Sequence, residues 1–194
     1  PSGGNFWSNY NGTDIKSGPL QNETGSDGIG DTAFLVFPGP QMVVLDHYPI
    51  MGPITIFDVG SWNGTDRQIS IISNSTISNF QLNRTLKTIG FNVTGYTSLW
   101  FCRISIPNII VQEFWQSNYT VLVNRHPVEF RSWTNESNIY IYFASENPKE
   151  VIIIPEFSQF IILLIIFTLT TLIATIFSRK KKQAGCSGIS YGAT

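Results

Sequence analysis

Cysteine is scarce in this chain, which has only two among its 194 residues. Cys102 lies in an apolar stretch, whereas Cys186 lies beyond a long uncharged run near the C-terminus. If that run crosses a membrane, the two thiols are on opposite sides and cannot pair, so the fold is not a disulfide scaffold. We expect Cys102 to be a small buried apolar residue, with a reactive or intermolecular thiol as the alternative. For Cys186 we expect a plain thiol, with palmitoylation as the alternative.

Charge is distributed unevenly along the chain. All 13 acidic residues lie within residues 1–156, which carry only 8 of the 12 basic residues and a net charge of about −5. A basic surface large enough to hold nucleic acid is therefore not expected before the uncharged run.

Catalytic motifs are missing as well. The sequence has no Gly-rich phosphate loop, no His-rich metal motif and no nucleophile elbow. His126 precedes Pro127 in a predicted turn, where a histidine is normally solvated. Glu113, Glu129 and Glu136 are scattered without a spacing that pairs them. We therefore expect no enzyme active site.

The longest feature that is present is the uncharged run at residues 157–177, whose 21 residues include no charge, glycine or proline. A helix of this length spans about 30 Å, the thickness of a bilayer's hydrocarbon core. A membrane-stop cluster follows at once, formed by Arg179, Lys180, Lys181 and Lys182. Because basic segments stay cytoplasmic, we predict a transmembrane anchor at 155–178, a cytoplasmic tail at 179–194 and an extracellular N-terminal part.

Asn-x-Ser/Thr sequons are unusually frequent, since composition alone would give roughly three. Eight occur, and all precede the uncharged run. They predict a glycosylated exterior, with ordinary polar β-turns as the alternative. The candidate asparagines are Asn11, Asn22, Asn63, Asn74, Asn83, Asn92, Asn118 and Asn135.

Residues 54–154 have the pattern of an all-β domain. Short segments rich in β-branched and aromatic residues are separated by Gly, Asn, Pro or Ser, and no amphipathic helix is evident. This pattern predicts a two-sheet β-sandwich ectodomain. The predicted strands are 54–58, 68–73, 76–82, 88–93, 98–106, 119–124, 128–133, 138–144 and 150–154.

Three tryptophans in this domain could form a sugar-stacking face. They are Trp100, Trp115 and Trp133. Core packing is the other interpretation, and strand positions favour it.

Residues 1–53 differ in composition, because they are rich in Gly, Asn, Asp and Pro. Glu23, Asp27 and Asp31 alternate with glycines in a way that suits a loop around a hard cation, so calcium is a candidate cofactor. The match to an EF-hand is partial, because Gly25 offers no side-chain ligand and the twelfth position lacks a glutamate. A tight Asp-Gly turn is the alternative.

Three sequence blocks of this segment carry a family resemblance. GNFWSNYNGTD at 4–14, SDGIGDT at 26–32 and DHYPIM at 46–51 resemble the closing segment of NosD-like right-handed parallel β-helix proteins. The sequence departs from that pattern at Phe6, Asn9 and Ile50. The resemblance implies that residues 1–53 are a β-helix C-terminal cap. It also implies that stacked coils precede Pro1 in a longer protein, in line with the missing initiator methionine and signal peptide.

The C-terminal part carries a second resemblance. Ile154-Pro155-Glu156-Phe157, the uncharged run and the basic cluster are similar to the PEF-type sorting and anchoring signals of archaeal surface proteins. The departures are Ser158 and the twelve residues that follow the cluster. They favour a helix that is retained over one that is cut away.

These expectations lead to a non-enzymatic cell-surface module that tethers a β-helix to the membrane. Its partners would be the membrane and surface glycans or other surface proteins, with no nucleic acid. One alternative is a fragment of a carbohydrate-active lyase or epimerase. Another, implied by the NosD resemblance, is copper binding through Met42, His47 and Met51, for which ordinary packing roles are the competing interpretation.

Overall fold

The computed structural model describes residues 3–39, 42–95, 99–146, 150–156, 168 and 170–173. The chain divides into two units, Pro1–Pro155 and Glu156–Thr194. Within the described residues, no helix has the length and apolar character needed to cross a bilayer. Residues 168 and 170–173 are helical, whereas the rest of the predicted span lies outside the described residues. The membrane stop and Cys186 lie outside them too.

The described part of the first unit is built mainly of β-strands. In chain order the elements are β1 (Lys16–Ser17), β2 (Glu23–Thr24), β3 (Phe34–Pro38), β4 (Val43–Asp46), β5 (Ile54–Trp62), β6 (Thr65–Ser73), β7 (Thr76–Asn83), β8 (Thr88–Thr94), β9 (Leu99–Pro107), α1 (Asn108–Trp115), β10 (Tyr119–Val123), β11 (His126–Pro127), β12 (Arg131–Thr134), β13 (Asn138–Glu146) and β14 (Glu150–Pro155).

Ten of these strands form two five-stranded antiparallel sheets. Sheet A has the order β11-β10-β14-β8-β7, and sheet B has the order β12-β13-β9-β6-β5. The predicted all-β class and sandwich-like pair of sheets are therefore confirmed. All nine predicted strands overlap an observed one. The largest boundary differences are at 54–58, where β5 continues to Trp62, and at 128–133, where β12 begins only at Arg131.

The core lies between the two sheets, because successive side chains of a strand point to opposite faces and each sheet turns one apolar face inward. In β9, the inward residues include Trp100, Cys102 and Ile104, all fully buried. Trp100 packs edge-on against Phe143 of β13, with ring centroids 5.9 Å apart. Cys102 is a free, buried thiol as predicted, and its burial raises the thiol pKa to about 12.

The sequence interpretation missed the helix α1. Its Ile110, Val111, Phe114 and Trp115 are buried against the core, and Trp115 Nε1 donates to the Lys87 carbonyl at 2.7 Å. Burial of this face outweighs the low helix propensity of the β-branched residues. The helix carries the chain from β9 in sheet B to β10 in sheet A, so it closes one end of the sandwich.

Residues 3–53 pack on the outer face of sheet B. The three sequence blocks described above meet in this segment, where Ile50 bridges Phe6 in parallel and Ile29 in antiparallel fashion. Ile29 is fully buried between them. Asp46 accepts a hydrogen bond from Trp7 Nε1 at 2.9 Å, which ties the first block to the third. The blocks therefore form one local core.

The strands β3 and β4 pair as an antiparallel hairpin with an irregularity between Leu35 and Phe37. We call residues 34–45 the apolar hairpin, because the sequence from Ala33 to Leu45 has no charge. Phe37 is 52% exposed and Val43 is 64% exposed. The other large apolar residues that it exposes are Leu35, Val36, Met42, Val44 and Leu45.

Candidate functional site

The most concentrated polar chemistry in the described residues lies around Arg103, where residues 3–53 meet sheet B. Arg103 follows the inward-facing Cys102 in β9, so its side chain points away from the core. Its Cβ and Cδ lie against the backbone of Gly28, where an added Cβ would come within 3.2 Å of Arg103 and of Phe101. Gly28 also has a φ of +85°, which favours glycine. We call this contact region the Arg103 junction.

Arg103 forms a buried ion pair with Asp27. Its Nη1 lies 3.2 Å from Asp27 Oδ2, and the two side chains are only 3% and 1% exposed. The same nitrogen donates to the Asp27 carbonyl at 2.8 Å. Asp27 also accepts from Gln21 Nε2 at 2.6 Å and from the Ile29 amide at 3.0 Å. The carboxylate is therefore surrounded by donors that compensate for lost water.

Burial and charge act in opposite directions on this pair. Burial raises the pKa of the Asp27 carboxyl, and the Arg103 charge and the Gln21 hydrogen bond oppose that rise. Burial likewise lowers the pKa of Arg103, and Asp27 opposes that change. With three donors on Asp27, we regard the pair as ionised near neutral pH.

A second carboxylate, Asp14, fixes the backbone of the same loop. Its two oxygens accept from the amides of Asp27 at 2.9 Å and Gly28 at 2.8 Å. Burial raises the pKa of Asp14 to about 6, and the charges of Asp27 and Asp31 add to this rise. Asp14 therefore titrates closer to neutrality than an ordinary aspartate.

Aromatic side chains complete the junction. The Arg103 guanidinium carbon lies 4.8 Å from the centroid of Tyr140 and 5.7 Å from that of Trp133. With Asp27 they line a cavity of about 160 Å³. Ligand pockets usually measure about 300–1,000 Å³. A cavity of this size has room for about five waters at liquid density. The cation that interacts with its two aromatic rings is the protein's own Arg103.

A second arginine attaches the β1–β2 hairpin to sheet B. Arg131 of β12 donates to the Thr24 carbonyl and, at 3.0 Å, to Ser17 Oγ. Ser17 is fully buried. Two arginines of the sandwich thus bind backbone carbonyls, a hydroxyl and a carboxylate of residues 3–53, and the arrangement is that of a structural connection.

The predicted calcium residues serve other contacts. Asp27 pairs with Arg103, and Asp31 Oδ2 accepts from the Ile15 amide at 2.7 Å. Glu23 is exposed in β2, where its backbone pairs with Ser17. Among the described residues, no group of three or more His, Cys, Asp or Glu side chains is arranged to hold a metal ion. The structure therefore gives the calcium hypothesis no support.

The soft residues considered for copper lie at three different places. Met42 is 62% exposed in the apolar hairpin, and His47 is exposed after β4. Met51 is half-buried, and its amide donates to the Gly28 carbonyl at 3.0 Å. Nothing in the described contacts favours a shared site for these three side chains.

The tryptophans do not form a common sugar-stacking face. Trp100 and Trp115 are buried in the sandwich core, as the core-packing interpretation predicted. Trp133 is half-buried at the Arg103 junction instead. His126 is exposed, as predicted, but it lies in β11 and not in the turn, which is at residues 124–125.

The sequon asparagines are well placed for modification. Seven of the eight are exposed, and only Asn92 is half-buried. Their amides differ, since Asn74 Nδ2 donates to the Leu99 carbonyl at 3.2 Å and Asn135 Nδ2 donates to Tyr140 Oη at 3.0 Å. Exposure supports the prediction of glycosylation without testing it.

Sequence reasoning missed the junction itself. Arg103 is the one charged residue within β9, a strand of otherwise apolar and small polar residues, and this was the available signal. A charge within a buried strand requires a partner. Its identity, Asp27, depends on a contact 76 residues away in the chain. Asp14 gave no comparable signal.

With the geometry established, comparison with known proteins adds no relative: no family model, curated protein or solved structure matches this chain.

Proposed function

We propose that this chain is a non-enzymatic cell-surface module held in the membrane by a helix within residues 155–178. Residues 1–154 would lie outside and residues 179–194 inside. The observation that carries the proposal is the uncharged run of 21 residues, which begins just after β14 and is followed by four basic residues. A run of that length suits a bilayer, and the basic cluster sets its orientation.

Two further observations support an outer location. All eight sequons and all 13 acidic residues precede the uncharged run. Seven of the eight sequon asparagines are exposed. The module would work as a stiff spacer, because the Arg103 junction fixes residues 3–53 to the sandwich. Its partners would then be other surface molecules rather than a small-molecule substrate.

We also propose that residues 1–53 fold as the closing cap of a parallel β-helix. The parallel bridge between Phe6 and Ile50 supports this, because it joins two of the three blocks that carry the resemblance. If the blocks form one unit, the amides of Ile29 and Ile50 should exchange with solvent at the same slow rate. Fast exchange at either amide with slow exchange at the other would contradict it.

The anchor can be tested by cell fractionation. The full chain, with an export signal and a C-terminal epitope, should stay in the membrane after an alkaline carbonate wash. A chain that ends at Pro155 should be soluble. Protease added to intact cells should remove the ectodomain and leave the epitope protected. Retention of the truncated chain in the membrane, or full protection of the ectodomain, would refute the proposal.

A matched pair of variants sharpens this test. Ile165→Arg places a charge near the centre of the run and costs about 2.5–3.5 kcal/mol for insertion. Ser187→Arg adds the same charge to the tail and should leave membrane retention unchanged. Equal retention of both variants would argue against a spanning helix.

A further inference from the structure

Several connections between strands lie at the end of the sandwich that α1 closes, and we call this the α1 end. There α1 crosses from sheet B to sheet A, directly after Pro107 and shortly before Tyr119. Tyr119 pairs with Pro155, so β14 also ends at the α1 end. The chain therefore leaves the sandwich beside this helix.

Three sequons lie at the α1 end. Asn63 is in the β5–β6 turn, next to Trp62, whose Nε1 donates to Glu113 Oε2 of α1 at 2.7 Å. Asn83 pairs with Thr88, one position before the Ile89–Ile153 pair of β8 and β14. Asn118 directly precedes Tyr119. Sheet B therefore contributes the sequon at Asn63, sheet A the one at Asn83, and the connection from α1 to β10 the one at Asn118.

The same three asparagines present accessible amides. Each is exposed, and for none does Nδ2 donate a hydrogen bond to a described residue. Asn63 has a φ of 51° in a two-residue turn, which projects its side chain from the hairpin. Asn83 uses only its Oδ1, which accepts from the Leu86 amide at 2.8 Å.

The other three sequons of the sandwich are less favourable. The amides of Asn74 and Asn135 are donors to Leu99 and Tyr140. Asn92 is half-buried within β8, between Ser78 of β7 and Glu150 of β14. A glycan at any of these positions would have to break a hydrogen bond or disturb a sheet interior.

We propose that Asn63, Asn83 and Asn118 carry N-linked glycans, which form a collar around the α1 end and shield the chain where it leaves β14. The inference rests on the proposed outer location of the sandwich. In each transfer, Nδ2 bonds to the anomeric carbon of an oligosaccharide held on a lipid phosphate or diphosphate. The carbon–oxygen bond to that phosphate breaks, and the amide proton leaves with the lipid phosphate. N-linked glycans are bulky and hydrated. They would therefore restrict protease access to the residues after Pro155.

The test is site occupancy by peptide mass spectrometry on the full chain, made in a host that glycosylates sequons and verified with a secreted reporter. We expect glycan on most copies at Asn63, Asn83 and Asn118, and on few at Asn74, Asn92 and Asn135. Occupancy that is equal between the two sets, or higher in the second, would overturn the proposal. So would unmodified sites at the α1 end when protease shaving shows the ectodomain outside. If the ectodomain is instead protected from protease, the proposed function fails as well.

Shielding has its own readout. The Asn63→Gln/Asn83→Gln/Asn118→Gln variant should be cut near Pro155 at least several-fold faster by a protease added to cells. The matched control is Asn11→Gln/Asn22→Gln, which removes two exposed sequons from residues 3–53 and should leave the rate unchanged. Equal cleavage rates for the triple variant and the wild type would remove the shielding role. Thermal unfolding of both variants checks that faster cleavage does not come from lost stability.

Discussion

Burying Arg103 with Asp27 removes two charges from water, and the free-energy cost is offset only while both partners are present. The side chains are 3% and 1% exposed, so neither can regain full hydration if the other is lost. This makes the pair a weak source of net stability but a strong determinant of how residues 3–53 sit on sheet B. The same geometry predicts a non-additive response to mutation.

Asp27→Asn or Arg103→Met should each destabilise the chain by about 3–5 kcal/mol, because each leaves one buried charge without its partner. The double variant should lose less than the sum of the two. Chemical denaturation of residues 1–155 measures all three. Lys16→Met, at an exposed position of β1, should change stability by less than about 0.5 kcal/mol. Additive losses in the double variant would show that the two residues do not interact.

Asp14 makes stability depend on pH. In the folded chain its pKa is about 6, compared with an ordinary value of 3.8, and burial is the main cause of the increase. A raised folded-state pKa contributes stability that is fully present below the ordinary value and is lost as pH rises through 6. Asp14→Asn should therefore weaken the fall in the denaturation midpoint between pH 4 and pH 7.

The readout for Asp14 is the difference between variant and wild-type midpoints across that range. Asp46 has the opposite effect on the pH dependence of stability, because its pKa is lowered in the folded chain. Burial raises that pKa, but hydrogen bonds from Trp7 and Asn5 lower it by more. The contribution of Asp46 is the same in the variant and the wild type, so it cancels in the difference between their midpoints. Asp66→Asn, which removes a carboxylate at an exposed position of β6, provides the matched control. A constant difference for Asp14→Asn would contradict the prediction.

At the scale of elements, α1 ends at a residue that is poorly suited to its conformation. Gln116 has a φ of 49° in the left-handed region, and its amide closes the helix on the Val111 carbonyl. Gln116→Gly should stabilise the chain by about 0.5–1 kcal/mol, because glycine adopts this conformation without strain. Gln112→Gly, at an exposed position inside α1, should instead cost about 1 kcal/mol. Thermal unfolding compares the two, and a loss at both positions would contradict the capping argument.

The apolar hairpin predicts self-association of the ectodomain. It exposes apolar side chains along two strands and has no charge to discourage pairing with another copy. Val43→Lys, at a position 64% exposed, should lower the association measured by sedimentation velocity over increasing concentration. Ile15→Lys changes a residue outside the apolar hairpin with a similar exposure, 62%, and should have little effect. The same reduction from both variants would point to net charge rather than the hairpin.

Elements differ in how far the sequence predicts them. Nine of the ten strands of the sandwich were predictable from short segments rich in β-branched and aromatic residues, several of which alternate apolar and polar residues. The helix α1 was not, because Ile109, Ile110 and Val111 are β-branched and favour strands locally. Its helical form depends on burying Phe114 and Trp115 at the end of the sandwich, which is a tertiary effect.

At the scale of the whole molecule, the Asp-Gly pattern illustrates the limit of motif reasoning. The sequence predicted that Glu23, Asp27 and Asp31 act together, and the structure brings Asp27 and Asp31 close enough to Asp14 to affect its pKa. Oxygens of all three aspartates accept from backbone amides, and Asp27 also pairs with Arg103. Of these carboxylates, Asp27 stabilises the contact with sheet B through Arg103, and this contact could not be found from spacing alone.

The position of β14 within sheet A has a mechanical consequence. The strand lies between β10 and β8, with five register pairs on one side and four on the other. If a membrane holds the chain just beyond Pro155, any drag on the ectodomain pulls along β14. Antiparallel hydrogen bonds run perpendicular to the strand, so such a pull loads both rows at once in shear. An edge strand pulled in the same direction would be held by one row of hydrogen bonds, whereas this tether would yield only when both rows fail together.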